Sequence, residues 1–142
     1  MLEIDAGTML IGLTRGDTAS IVFVAEDDEG TEYVPAAGDK LTFAVAKKVG
    51  ADPIMSITNV YAGDADAFWT IVIGSAGSDD WYQRDDNGEV VLDADGNPEY
   101  IKTGNYVWDV QLETQAGIQT IIGKTDSISP QFRVWGEVAQ NG

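Results

Sequence analysis

The chain has 142 residues, a formal net charge of −16 at pH 7, and neither Cys nor His. The missing residue types exclude a disulfide framework, thiolate catalysis and the His-based sites common in nucleophilic enzymes and zinc proteins. The negative charge disfavours contact with nucleic-acid phosphates or anionic lipids, and no apolar run reaches the roughly 20 residues that span a bilayer. We therefore predict a single soluble domain over residues 1–142, with no nucleic-acid or membrane partner.

Short apolar stretches bounded by turn residues fill the first half of the chain. Residues 8–13 and 40–47 each predict a strand, and the latter alternates large and small side chains as a half-buried strand does. Residues 18–25 are apolar on both faces, which predicts a strand covered on both sides, within the domain or by another copy of the chain. The large residues of this stretch are Ile21 and Phe23 on one face and Val22 and Val24 on the other.

The second half contains the strongest structural signal. Residues 104–124 predict a β-hairpin, because aromatic and β-branched residues alternate with polar ones before a turn at 115–117. Residues 67–74 predict a strand too apolar for an exposed sheet face, and 131–138 predict a closing strand. Between them, residues 77–103 carry eight acidic residues against Arg84 and Lys102, with turn signatures, and predict an inserted acidic hairpin or flap.

These elements add up to seven or eight short strands without a convincing helical period. Turn signals at this spacing are typical of two-sheet all-β domains. We predict an all-β fold, an antiparallel Ig-like β-sandwich that carries the acidic flap as an insertion. A barrel is the alternative.

Acidic residues offer two kinds of chemistry, and neither has a specific signature here. A calcium loop of the EF-hand type starting at Asp93 would need Gly and Glu where this sequence has Pro98 and Gly104. Paired carboxylates could serve a glycosidase, but no pair among 24 acidic residues stands out. We predict a protein that is not an enzyme and has no cofactor or metal. A calcium site of another type stays open, with these candidates: Asp64, Asp66, Asp79 and Asp80.

Two aromatic residues, Trp81 and Tyr82, open the flap beside Arg84. Planar side chains in this position could stack on sugar rings. Alternatively they anchor the flap to the domain or pack against another subunit, because Trp, Tyr and Arg are enriched in protein interfaces.

The order of motifs resembles a known family. Thr14-Arg15-Gly16-Asp17-Thr18 ends a strand, Gly38 to Val45 forms another, and Gly104 to Leu112 precedes a late Phe132-Arg133-Val134. This pattern resembles the small Ig-like β-sandwich domains of tailed-phage virion proteins, in particular the N-terminal domain of phage baseplate upper proteins. The resemblance implies a non-enzymatic building block of the virion, assembled in the host cytoplasm and docking virion components onto one another as a trimer or ring. The acidic flap departs from that family.

Our leading hypothesis is a bacteriophage tail, baseplate or fibre-attachment component whose partners are other virion proteins and copies of itself. The alternatives are a carbohydrate-binding or adhesion module, with or without a requirement for calcium, and an acidic nucleic-acid mimic that binds a basic protein. The predicted interface residues, each of which could equally belong to the core, are Ile21, Val22, Phe23, Val24, Trp81, Tyr82 and Trp135.

Overall fold

The computed structural model describes residues 2–5, 9–26, 29–74, 79–85, 87–122 and 130–135. These residues are mostly β, with one short helix, α1 (Ala65–Trp69), and a 3₁₀ turn at Asp79–Trp81. Part of the predicted closing strand, residues 136–138, lies outside the described residues. The strands are β1 (Leu2–Asp5), β2 (Leu10–Thr14), β3 (Ala19–Val22), β4 (Lys40–Ala46), β5 (Pro53–Val60), β6 (Thr70–Ile73), β7 (Gly104–Thr114), β8 (Gly117–Ile122) and β9 (Gln131–Trp135).

The strands form a large and a small sheet. Seven strands make the large sheet, in the order β1-β2-β9-β7-β4-β5, with β8 also paired to β7. The small sheet consists of β3 and β6, paired antiparallel. The predicted hairpin at 104–124 is confirmed over its described residues, 104–122, because β7 and β8 pair antiparallel from Thr114↔Gly117 to Val110↔Ile122; residues 123–124 lie outside the described part of the chain.

Strand β7 holds the large sheet together. One of its edges pairs with β4, and the other pairs first with β9 and then with β8. Both β8 and β9 run antiparallel to β7, and the ladder of β8 stops at Val110 just before that of β9 starts at Val107. Between them the Trp108 amide donates to the Pro130 carbonyl over 3.1 Å. The two strands therefore lie in line along one edge of β7.

The pairing of β2 with β9 is parallel, from Ile11↔Phe132 to Thr14↔Trp135. The expectation of a wholly antiparallel architecture is wrong at this one ladder among the described strands. Two strands near opposite ends of the sequence can pair in parallel because the rest of the chain forms the connection.

The two sheets share one hydrophobic core. Alternate residues point inward in several strands, such as Leu41, Phe43 and Val45 of β4, which are 1% exposed or less. Phe23, which follows β3, meets Phe43 and Trp108 with ring centroids about 6 Å apart. Phe132 joins this aromatic cluster from β9. Aromatic side chains from the two sheets therefore close the space between them.

The last three residues of helix α1 fall within the segment 67–74 that the sequence predicts as a strand. The Asp64 carboxylate caps it by accepting from the amides of Asp66 and Ala67. Phe68 and Trp69 are buried, and only then does the chain enter β6. The prediction of a strand over 67–74 is thus correct for β6 and wrong for the helical turn before it.

One buried carboxylate fixes the connection from the small sheet to the large sheet. Asp39 is 2% exposed and accepts from the Tyr33 hydroxyl at 2.6 Å and from the Ala36 amide at 2.9 Å. The backbone of Asp39 also donates to Ala36 and accepts from the Tyr61 amide. The crossing segment is therefore held by one residue immediately before β4.

The edge strand β5 is joined to α1 and β6 by one side chain. The Asn59 amide nitrogen lies within hydrogen-bond distance of three carbonyl oxygens, those of Ala67, Phe68 and Thr70, at 3.3, 3.1 and 2.7 Å. The last carbonyls of a helix have no partner within it unless a cap or a side chain supplies one, and here the Ala67 carbonyl also accepts from the backbone amide of Thr70, the C-cap of α1. Asn59 therefore connects the two sheets along their common side.

Candidate interaction surfaces

The outer face of the small sheet exposes valines. Val22 is 67% exposed, Val24 46% and Val72 54%. Val72 pairs with Ser20 across the ladder and Val22 pairs with Thr70, so Val22 and Val72 are diagonal neighbours on one face. We call Val22, Val24 and Val72 the valine face. Among the described residues, the valines of the core are 2% exposed or less, so these three side chains are far more accessible to solvent.

The alternate residues of the same stretch point the other way. Ile21 is 5% and Phe23 6% exposed, and both belong to the core that the two sheets share. They therefore stabilise the domain and offer almost no surface to a partner. The expectation that residues 18–25 are covered on both faces within the domain is wrong for the described residues. Cover by another copy stays a prediction.

Trp81 is also a core residue. Its side chain is fully buried, and its indole nitrogen lies 2.9 Å from the Gly74 carbonyl and 3.1 Å from the Asp17 carbonyl. Its own carbonyl accepts from the Ile101 amide. Trp81 thus ties the start of the acidic segment to the end of β6 and to the turn between β2 and β3. It has no exposed ring to present to a sugar or a subunit.

The acidic segment forms a compact unit of three short bridged pieces, which we call the acidic flap (residues 82–100). Its bridges are Tyr82↔Tyr100, Arg84↔Val90 and Leu92↔Pro98. Three backbone hydrogen bonds close a triangle: Gln83 donates to Glu99, Glu99 to Val91 and Val91 to Gln83, over 2.7 to 2.9 Å. Each piece thus pairs with both others, and the flap is more closed than the predicted simple hairpin.

Two similar turns, eight residues apart, connect the pieces of the flap. Asp85 Oδ1 accepts from the amides of Asn87 and Glu89, and Asp93 Oδ1 accepts from those of Asp95 and Asn97. This local bonding explains why Asp recurs at these positions, because Asx turns use the carboxylate to organise the backbone. Among the residues that the structure describes, no group of three or more potential ligands could hold a metal ion.

The carboxylates that remained candidates for a different calcium site separate in space and role. Asp64 caps α1, as described above, and Asp66 lies in its first turn. Asp80 Oδ2 accepts from the Gly74 amide at 2.7 Å, beside the buried Trp81. The side chain of Asp79 lies outside the described residues. Asp64 and Asp80 therefore stabilise the local backbone.

Tyr82 pairs with Tyr100 across the flap. Their ring centroids are 5.6 Å apart with the planes inclined by 56°, and the two residues form the bridge nearest the core. Tyr100 was not singled out in the sequence. Its position opposite Tyr82 follows from the flap ladder, which the alternation of residues alone does not reveal.

Trp135 lies on the outer face of the large sheet and is half-buried. Its ring covers Gly12 of the neighbouring β2 so closely that a Cβ on Gly12 would lie 2.5 Å from ring atom Cη2. Close to it, Arg133 Nε donates to Asn105 Oδ1 at 3.0 Å. Trp135 therefore has a packing role inside the domain and retains some surface for contact.

The predicted interface residues thus separate into two groups. Ile21, Phe23 and Trp81 are buried, whereas Val22, Val24, Tyr82 and Trp135 keep exposed or half-exposed surface. Val72 completes the valine face and was missed because its stretch was expected to be covered on both faces. In β6, Ile71 and Ile73 point inward, and the alternation of the strand therefore places Val72 on the outer face.

The chain matches no protein-family model, no curated protein and no solved structure. Among its described residues, no helix is long and apolar enough to cross a bilayer. The surfaces themselves therefore carry the functional argument.

Proposed function

We propose that this protein is a non-enzymatic structural component of a phage virion that works through protein–protein contact, with the valine face as an assembly surface. The observation that carries the proposal is the exposure of Val22 and Val72 as diagonal neighbours on one face of the small sheet, with Val24 exposed two residues beyond Val22. Contiguous exposed apolar residues are uncommon on monomeric proteins and often mark sites of interaction. The surrounding charge of −16 leaves such a face as a distinct apolar region on an acidic surface.

The topology supports an Ig-like interpretation of the fold. Ig domains place strands B and E in one sheet and C, F and G in the other. Here β3 and β6 form the small sheet, while β4, β7 and β9 are neighbours in that order in the large sheet. If these five strands are B, E, C, F and G, the acidic flap is an insertion between E and F. This correspondence is the structural support for the resemblance to phage virion domains.

Assembly through the valine face is tested by light scattering on the purified protein and two variants. The double variant Val22→Glu/Val72→Glu places charges on the face, whereas Ile118→Glu changes an exposed residue of β8 in the large sheet. We expect a discrete oligomer for the wild type and for Ile118→Glu, and a monomer for the double variant with an unchanged circular dichroism spectrum. A wild-type mass that the double variant leaves unchanged would contradict self-assembly through this face.

The virion assignment needs a separate measurement. Mass spectrometry of purified phage particles from cells that carry the gene should detect peptides of this chain at a constant ratio to the major structural proteins. Peptides confined to the cell lysate would contradict the assignment, whatever the oligomeric state.

The second candidate is a carbohydrate-binding module, and the observation that favours it is the Tyr82–Tyr100 pair on the flap. Because Trp81 is buried, the informative variant is Tyr82→Ala/Tyr100→Ala and not a variant of Trp81. If the flap binds sugars, this variant should lose retention on a glycan array while its melting temperature falls only slightly. Equal retention by variant and wild type, or none by the wild type, would remove this candidate.

A further inference from the structure

The outer face of the large sheet contains a groove of about 340 Å³. Its floor is formed by outward residues of β4, β5 and β7, and its walls by the β4–β5 turn and Pro130. We call it the β4–β7 groove. Its volume falls at the lower end of the range of about 300–1,000 Å³ that ligand pockets occupy. It lies on the opposite sheet from the valine face, so it is independent of the proposed function.

The groove exists because the outward residues of neighbouring strands are small. Asp109 of β7 lies directly opposite Ala44 of β4, and Ala44 lies directly opposite Ser56 of β5. This row of one carboxylate and two small side chains crosses three strands. Ala46 and Thr42 continue the small surface along β4, while the turn from Lys48 to Ala51 rises at one end.

The Asp109 carboxylate has no hydrogen bond or ion pair with any described residue, although it is partly buried in this groove. Burial alone raises the pKa of Asp109 above its usual value. The charged residues that line the groove are Asp109 and Lys48, which belongs to the turn. Lys48 does not offset the rise in the pKa of Asp109. A partly desolvated carboxylate without a partner is costly, and an opposite charge brought into the groove would offset that cost.

Charge complementarity selects the occupant. A net charge of −16 attracts cations and repels anions over the whole surface. Within the groove Asp109 is the one acidic residue that lines it, and apart from Lys48 at the turn the lining side chains are uncharged and mostly small or apolar, which suits the methylene stem of a long basic residue. We propose that the β4–β7 groove binds an arginine or lysine side chain presented by a basic segment of a partner protein, with Asp109 as the counter-ion.

The proposal is tested by NMR titration of the ¹⁵N-labelled full chain with N-acetyl-arginine amide. The neutral analogue N-acetyl-citrulline amide has nearly the same shape and serves as the matched ligand. Asp109→Asn removes the negative charge of the groove. Glu113→Gln also removes a carboxylate from the same face of β7, but outside the groove lining. Ala44→Leu fills the floor and leaves Asp109 in place.

We expect saturable shifts of amides in β4 and β7 with the arginine probe. Binding should weaken about fivefold or more in Asp109→Asn and with the citrulline probe, as loss of a charge-assisted contact predicts. Glu113→Gln should stay within about twofold, because that charge is exposed and screened. Ala44→Leu should abolish the localised shifts while the spectrum remains dispersed.

Three outcomes would overturn the proposal. The first is the absence of localised shifts with wild-type protein. The second is equal binding of the arginine and citrulline probes, which would remove the role of charge. The third is an equal loss in Asp109→Asn and Glu113→Gln, which would indicate attraction by the overall field and not by a site. Because no described residue pairs with the Asp109 carboxylate, its replacement by Asn removes no described contact, and we expect Asp109→Asn to fold.

Discussion

Asp39 is the buried polar side chain on which the crossing between the two sheets depends. It accepts two hydrogen bonds in a position that is 2% exposed. Removing an acceptor there leaves the Tyr33 hydroxyl and the Ala36 amide without their partner. The residue therefore matters for the path of the chain rather than for any chemistry.

We predict that Asp39→Ala lowers the free energy of unfolding by about 1–3 kcal/mol, the usual cost of leaving buried polar groups unpaired. Asp39→Asn should cost less, since the amide oxygen can still accept a hydrogen bond. Urea denaturation measures both, and Asp52→Ala at an exposed position serves as control. A value for Asp39→Ala within 0.5 kcal/mol of that control, about the scatter of surface substitutions, would contradict the role assigned to Asp39.

Asp109 should make the stability depend on pH. Its pKa is raised in the folded state by burial, so its contribution is fully present below the unfolded pKa and is lost as the pH rises through the folded pKa. Asp109→Asn removes this loss. We expect the variant to melt above the wild type at pH 7, with the difference vanishing at about pH 3, below the usual Asp pKa.

Differential scanning calorimetry across this pH range measures the effect, and Glu113→Gln should show no comparable gain at pH 7. A lower melting temperature for Asp109→Asn at neutral pH would show that the carboxylate has a stabilising partner, contrary to its surroundings in the structure.

Among the elements, β5 shows how one side chain joins two sheets. From β5, Asn59 places its side-chain amide within hydrogen-bond distance of the carbonyls of Ala67, Phe68 and Thr70. An aspartate has the same shape but no proton to donate when ionised, and it would face three carbonyl oxygens.

We predict that Asn59→Asp destabilises the protein by at least as much as Asn59→Ala, for which about 1–2 kcal/mol is expected. Asn105→Asp should instead stabilise the protein. Asn105 Oδ1 already accepts from Arg133 Nε, and a carboxylate would accept that hydrogen bond more strongly. Thermal melts of Asn59→Asp and Asn105→Asp form a matched pair. Equal losses in both would indicate that negative charge alone, and not donor geometry, explains the result.

The elements that could be predicted from sequence are those with a local signal. In β4 and β7 the alternation of inward and outward residues identifies the strand and the buried face together. Helix α1 was not predicted, because Phe68 and Trp69 run directly into Ile71 and Ile73, so its last three residues look like the start of a strand. Asp64 was the one local cue to a helix start, and alone it resembles any turn aspartate.

The surfaces were harder to predict than the strands. Alternation separated Ile21 and Phe23 from Val22 and Val24, but it could not decide which pair faces the core. The fully buried position of Trp81 depends on the carbonyls of Asp17 and Gly74, which the fold alone brings together. The groove at Asp109 likewise requires three strands in register, and no stretch of sequence contains that arrangement.

At the scale of the whole molecule, the charge of −16 acts on the fold itself. Like charges repel one another over the compact surface, and salt shortens the reach of that repulsion from about 30 Å at 0.01 M to about 8 Å at 0.15 M. The folded state suffers more from this repulsion than the expanded unfolded chain.

We therefore predict that the melting temperature at pH 7 rises when NaCl is increased from about 0.01 to 0.15 M. The rise should nearly disappear close to the isoelectric point of about 4.1, where the net charge is small. A melting temperature that does not depend on salt at pH 7, or the same rise at both pH values, would show that charge repulsion is not the cause.

The place of β9 in the large sheet also sets an order of events during synthesis. Strand β9 lies between β2 and β7, so the strand pairing of the described residues joins β1 and β2 to the rest of the sheet through β9. A ribosome makes β2 about 120 residues before β9, and contacts between such distant segments form slowly. The nascent chain can thus pair β4, β5 and β7 before β9 is made. Until then the β1–β2 hairpin has not joined the sheet, and the edge of β2 that pairs with β9 is unpaired. The acidic residues that repel other chains would then protect the protein at the time when it most needs protection from aggregation.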